Sequence, residues 1–187
     1  ASMHTKQNDM DTSYVNNVLS EYMSSHILQI IGYPVHNTFL ATRNEQLVVA
    51  CENFIPEDQA LIEFGNYMRK QYDSYEIGRV PKYSQIKEVL SKDPDLKMNP
   101  NLWRNYCMRF VGDAFTGNFD RHMGNWGYLV SRTNPDEPPA AAPIYDNGST
   151  LFPALSSQAM KTDILPHEKE IIKRTLLFPK AAMTIKA

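Results

Sequence analysis

The chain has 187 residues, 42% of them hydrophobic and 21% charged, the composition of one soluble globular domain able to bury a sizeable core. Nineteen Lys and Arg against 21 Asp and Glu leave a formal charge of -2, which removes the electrostatic argument for a nucleic-acid partner or an anionic membrane surface. No apolar run approaches the ~18 residues that a membrane span requires, so no membrane association is expected.

Residues 1–12 are polar and lack a signal core. They read as a disordered or cloning-derived leader, because methionine stands third in Ala1-Ser2-Met3. From Ser13 to Ile31 the residues Val15, Val18, Leu19, Tyr22, Met23, Ile27, Ile30 and Ile31 recur at three and four, the stripe of an amphipathic helix, and Gly32 and Pro34 stop it. Val35 to Ala41 and Gln46 to Cys51 predict a hairpin turned at Thr42-Arg43-Asn44-Glu45. Between 58 and 92 the spacing predicts helices in pieces, one carrying Leu61, Phe64 and Met68 and another Ile86, Val89 and Leu90.

Asn99-Pro100 places a cap residue before a first-turn proline, so a helix is expected to run to about Phe115, burying Trp103, Tyr106, Phe110 and Phe115, with Gly117 ending it. Trp126 to Ser131 and Ala142 to Asp146 read as two antiparallel strands around a proline-punctuated loop. A polar loop and a helix from about Leu165 to Leu177 follow, without a clear terminus. Cys51 and Cys107 lie among apolar residues with no paired spacing, which predicts reduced, buried thiols rather than a disulfide or a zinc site.

Chemistry concentrates in Asn118-Phe119-Asp120-Arg121-His122-Met123-Gly124-Asn125 and in Pro143-Ile144-Tyr145-Asp146-Asn147-Gly148. An aspartate, an asparagine five residues later and a second aspartate after a strand repeat the kinase arrangement of base and magnesium ligands. If the two late strands form a hairpin, Asn125 and Asp146 emerge at one end and offer a hard cation oxygen atoms, with Asp120 nearby as base. Each part has a bland reading. Asp146-Asn147-Gly148 alone is a turn signal, His122 reads equally well as a loop-bracing histidine, and Asp120 alone suits a loop brace. Their joint occurrence carries the weight. A two-metal phosphoesterase is the weaker enzyme alternative, since of five histidines only His122 stands in a comparable motif.

With these words, Asp120-Arg121-His122-Met123-Gly124-Asn125 and Ile144-Tyr145-Asp146, the sequence resembles the HipA-like kinases, especially the smaller CtkA type, and shares its catalytic word with the phosphoinositide kinases. Ser20-Glu21-Tyr22 through Gly32-Tyr33-Pro34-Val35 is similar to the family's first helix, Leu47 to Phe54 to its hinge strand, and Phe178-Pro179-Lys180-Ala181-Ala182 to a late helical start. The resemblance implies an α+β, protein-kinase-like fold, with a partial N-lobe over 13–56 and a mostly helical C-lobe over 57–187 carrying a small β-hairpin active site. It implies ATP and Mg2+ as cofactors and phosphorylation of Ser or Thr on a protein substrate, the chain itself included. Asp120 and His122 then become catalytic residues, Asn125 and Asp146 magnesium ligands, and Glu52 and Phe54 hinge residues meeting adenine through backbone groups. For those two, the end of a half-buried edge strand is an equal reading. A cytoplasmic bacterial location and an antitoxin-like protein partner are further implications, with export left open.

The family's phosphate-covering loop and lysine precede its first helix, and Lys6 shows no strand pattern that would give it that role. The expectation is a piece of a longer kinase that grips nucleotide weakly alone. Glu21 could partner such a lysine, but a solvated helix face is the favoured reading. Two alternatives remain beside protein kinase: an impaired kinase-fold binding module, and a lipid or small-molecule kinase. Ser149, Thr150, Ser156, Ser157 and Thr162 fall where an activation segment would lie, with ordinary loop residues as the favoured reading.

Overall fold

The computed structural model of the chain describes residues 2–77, 81–151, 153, 155 and 157–177. Helix α1 spans Ser2–Ile30, so its first turns fall in the segment read from sequence as a leader. Its end is marked by Gly32 at φ 88°, a left-handed conformation that glycine adopts without a Cβ penalty. Strands β1 (Thr38–Arg43) and β2 (Gln46–Cys51) form the expected antiparallel hairpin, registered from Thr38 opposite Cys51 to Arg43 opposite Gln46. The two-residue turn Asn44-Glu45 takes positive φ at both positions, 50° and 63°, the backbone twist that a tight hairpin requires. The hairpin packs on α1 and leaves Phe39, Leu40 and Leu47 exposed.

Residues 59 to 63 correct the helical expectation. They form strand β3 (Gln59–Glu63), which pairs antiparallel with β4 (Gly127–Ser131), and Leu61 stands opposite Leu129. Helix α2 (Phe64–Gln71) follows β3 without a loop. Then come α3 (Ser74–Ile77), α4 (Tyr83–Lys92), a 3-10 turn at Leu96–Met98 and α5 (Leu102–Thr116). The expected start of α5 at Asn99-Pro100 is a turn instead: the Asn99 side chain accepts from the Asn101 N–H at 3.0 Å, and helical hydrogen bonding starts after it. Tyr106 is buried and Trp103 and Phe110 are partly buried as expected, whereas Phe115 is 60% exposed because it falls on the side of α5 away from the core.

The second late strand is shorter and earlier than predicted. Strand β5 is Ala140–Ala141, with Ala141 opposite Tyr128. Beyond it Pro143 has no N–H to continue a ladder, and Ile144 changes partners, forming a parallel bridge to Val35 through Ile144 N–H to Pro34 O at 2.8 Å and His36 N–H to Ile144 O at 3.0 Å. Asp146 therefore does not end a strand; it lies in the left-handed region at φ 57°. The chain continues through α6 (Ser157–Ala159), a π-helical turn at Met160–Ile164 and α7 (Glu168–Leu177), which begins three residues later than expected. Ser156 and the Phe178–Ala182 segment lie outside the described residues.

The core lies between β3-β4-β5 and helices α2, α4 and α5. Phe64, Tyr67, Met68, Val89, Leu96, Leu102, Tyr106, Trp126 and Tyr128 fill it, with Phe64 stacked on Trp126 at 4.1 Å between ring centres. The β3 and β4 backbones come close at Gly127: a Cβ there would meet Ile62 O at 2.2 Å. Neither cysteine is bridged; Cys51 is exposed and Cys107 half-buried, which corrects the expectation of buried thiols. Cys51 is exposed because β2 belongs to a two-stranded sheet with a single covering helix. No described helix is long and apolar enough to cross a membrane.

Candidate active site

The loop between α5 and β4 carries the first word. Gly117 (φ 70°) closes α5 in the left-handed region, its N–H bonding to Asp113 O. The buried Asn118 next turns the chain: its Oδ1 accepts from the Asp120 N–H at 3.1 Å, and its Nδ2 donates to Asp146 O at 3.4 Å. This one side chain ties the two sequence words together. Within the loop His122 N–H bonds to Asp120 O at 2.8 Å and Asn125 N–H to His122 O at 3.0 Å. His122 Nδ1 accepts from the Gly124 N–H at 3.1 Å, so one ring nitrogen braces the loop while the ring itself is exposed. Asn125 donates its amide nitrogen to Asp120 O at 3.2 Å, which commits its N–H side and leaves Oδ1 as the oxygen able to hold a cation.

Arg121 holds this loop from within. Its guanidinium is fully buried and donates from Nε to both Asp113 oxygens at 3.1 Å and from Nη2 to Asp113 Oδ1 at 3.0 Å and Asn147 Oδ1 at 2.8 Å. From Nη1 it donates to Asn125 O at 2.9 Å and to Tyr145 O. The fork geometry of arginine suits this, since five donors meet fixed acceptors on three segments. Burial pushes the Asp113 carboxyl above its usual range, and the guanidiniums of Arg121 and Arg109 act against it.

Asn147 extends the network to the first helix. It donates to Ser25 Oγ at 3.0 Å, Ser25 reaches Glu21 Oε1 at 3.5 Å, and Glu21 Oε1 takes a 2.7 Å hydrogen bond from His36 Nε2. Thr150, fully buried, donates to Asn147 O at 2.6 Å and meets Ser24 Oγ. A chain of polar contacts thus runs from α5 through the Asp120 to Asn125 loop and α1 to the Val35-His36 segment. Glu21 is buried, not solvated, because the hairpin and the Asp-Asn-Gly segment both cover its side of α1.

Asp146 lines a cleft of 560 Å3 together with Asn17, Val18, Glu21, His36 and Cys51, and with Glu52, Asn53 and Phe54 at the exit of β2. That size is ordinary for a small-molecule site. Phe54 stacks on Tyr145 at 5.4 Å between ring centres, and Asn53 Oδ1 accepts from the Ile55 N–H at 3.1 Å, shaping the strand exit. Asp146 is open to solvent on one side, yet partial burial holds its carboxyl above the usual aspartate range. The negative charges of Glu21 and Asp120 push the same way, against Arg121 and His122. Asp120, His122 and Asn125 do not line the cavity; the charges of Asp120 and His122 act on Asp146, and Asn118 ties their loop to the Asp146 carbonyl.

No family model matches the chain. The serine/threonine-protein kinase CtkA of Helicobacter pylori is 31% identical over 175 residues, which is 92% of this chain and 52% of that protein. A crystal structure of a Helicobacter pylori proinflammatory kinase CtkA matches with a TM-score of 0.77 at 28% identity, covering 90% of this chain and 57% of that one. The chain shares the CtkA fold over that span. Its mixed helix-and-strand architecture is the kinase-like fold with a partial N-lobe, and it spans about half the length of the curated relative it matches.

On this CtkA-type scaffold, sequence reading did not single out Asp113, Asn118, Arg121 as a buried hub, Asn147 or Ser25. The signal for Arg121 was present, since an arginine in a loop must either be solvated or find acceptors, but its acceptor Asp113 lies in a helix. Asn147 carried only the reading of a turn residue.

Proposed function

We propose that this chain forms the magnesium and base half of an ATP-dependent kinase of the HipA-like, CtkA-type class, transferring phosphate to Ser or Thr hydroxyls of a protein. The observation that supports it most directly is the position of Asp146, which shares one cleft with the β2 exit and is electrostatically coupled to Asp120 and His122. The donor chemistry fits a magnesium ion: a carboxylate from Asp146 and the uncommitted Oδ1 of Asn125 are hard oxygen ligands.

In this reading Asp120, exposed beside the cleft, orients the acceptor hydroxyl and takes up its proton. The backbone from Glu52 to Phe54 meets the adenine, with the Phe54 and Tyr145 rings as an apolar wall. Arg121 is a positioning residue, because it fixes the Asn125 and Tyr145 carbonyls at either side of the metal ligands. Bound magnesium would supply neutralisation of the charge spread over the transferring phosphoryl group. An antitoxin-like regulatory protein belongs to the same reading.

Calorimetry with ATP, with and without magnesium, tests it. Wild type is expected to bind ATP more tightly with magnesium, Asp146→Asn to lose that gain, and Asp120→Asn to keep it. ATP binding indifferent to magnesium in wild type would refute the assignment of Asn125 and Asp146.

A further inference from the structure

Three ligand-type side chains meet at one wall of the cleft: Glu21 from α1, His36 from the segment before β1, and Cys51 from the end of β2. The carboxylate oxygen, imidazole nitrogen and thiol sulfur of this trio all lie within 4.8 Å of one another. Nothing in the sequence spacing hints at this, because the residues are 15 apart in each step and come from three elements. The hairpin register makes the meeting: Cys51 stands opposite Thr38, two residues after His36.

We propose that Glu21, His36 and Cys51 form a binding site for zinc or a similar borderline-soft divalent cation. A carboxylate, an imidazole and a thiolate are an established zinc donor set, with ligand distances of about 2.0 to 2.3 Å that close the observed spread by small side-chain movements. His36 and Glu21 are 5% and 6% exposed and already in contact at 2.7 Å, so two ligands are held before the ion arrives. Cys51 is exposed and supplies the entry side. Binding turns the Cys51 thiol into a thiolate, its proton leaving to solvent; the proton that His36 Nε2 donates to Glu21 is given up to Nδ1 or to solvent, and the freed Nε2 lone pair and the Glu21 carboxylate each bond to the ion. Three protein ligands leave a fourth position open toward the cleft that also holds Asp146.

Because the trio lines the cleft proposed to take nucleotide, an ion there would oppose nucleotide binding; that consequence, unlike the site itself, rests on the proposed function. Zinc uptake by the whole chain, kept reduced, is measured by competition with a chromophoric zinc chelator, and cobalt(II) substitution reads the ligands through the thiolate-to-cobalt absorption band. One equivalent is expected, with Cys51→Ser losing the band and weakening zinc by about tenfold or more, on the scale of other losses around metal sites. His36→Gln, which keeps a donor for Glu21, should weaken it likewise, while Cys107→Ser should change nothing. Circular dichroism of each variant checks folding. No stoichiometric uptake, or uptake untouched by Cys51→Ser in a folded protein, overturns the site. Adenosine, which has no phosphates to chelate the metal, separates the two ideas: adenosine binding without zinc uptake removes the zinc site, and zinc uptake without adenosine binding supports it and counts against the nucleotide reading.

Discussion

Replacing Asp113 by Asn should destabilise the protein by about 3–5 kcal/mol, the cost of leaving a buried charge without its partner. The substitution nearly preserves volume, so no cavity term enters. Arg121 and Asp113 are both fully inaccessible, with three N–H to oxygen contacts at 3.0 to 3.1 Å. Arg109 lies close enough for its charge to act on Asp113, and its Nε has no hydrogen-bond partner. Removing the carboxylate charge therefore leaves two buried guanidiniums without an anionic partner, Arg109 facing the Ala142 carbonyl and the Trp126 ring. In a domain of this size each kcal/mol corresponds to roughly 2–4 °C, so the melting temperature should fall by about 6–20 °C. Urea unfolding of Asp113→Asn, Arg121→Met and the double variant measures this. The double variant should lose less than the sum of the singles, since it removes the stranded charge. A loss below about 1 kcal/mol for Asp113→Asn would refute the reasoning, because it would mean that burial keeps the Asp113 carboxyl protonated and that no ion pair exists to break.

Four further outcomes follow from the same structure. Gly127→Ala should fail to fold or lose roughly 3 kcal/mol or more by thermal melting, because the new Cβ would stand 2.2 Å from Ile62 O in a backbone that cannot withdraw without breaking the β3-β4 ladder. Magnesium affinity should weaken on acidification while most carboxylates remain ionised: the raised Asp146 group takes up a proton at higher pH than an ordinary aspartate, and only its ionised form is a ligand. By the same sign, ionised Asp146 is disfavoured in the folded protein, so Asp146→Asn should leave urea stability unchanged or raised where the carboxylate is ionised. Ser25→Ala should loosen the link between α1 and Asn147, weakening magnesium-dependent ATP binding by calorimetry several-fold with little change in the affinity for metal-free ATP.

What was legible in the sequence was local. The α1 stripe, the hairpin, the glycine ending α5 and the two aspartate-bearing words all announce themselves within a few residues. What was not legible was decided by partners far along the chain. Leu61, Phe64 and Met68 fit a helical spacing, yet residues 59 to 63 become a strand because β4, some 70 residues away, offers a ladder and a glycine that lets the backbones close. Ile144 leaves the predicted late strand because Pro143 breaks the ladder and Pro34 and His36 supply the alternative bonds. Glu21 looks like a solvated helix position until the cleft is assembled over it. The same limit explains why Arg121 and Asn147 were passed over, since each is defined by acceptors and donors brought in from other elements.

In the proposed function Asp120 and Asp146 act together at one phosphoryl-transfer site. Incubation with radiolabelled ATP, magnesium and candidate protein acceptors, comparing the wild-type protein with Asp120→Asn and Asp146→Asn, tests it most directly. Magnesium-dependent label on serine or threonine is expected, abolished by either substitution while each variant remains folded; transfer that survives either substitution would overturn the joint role of Asp120 and Asp146.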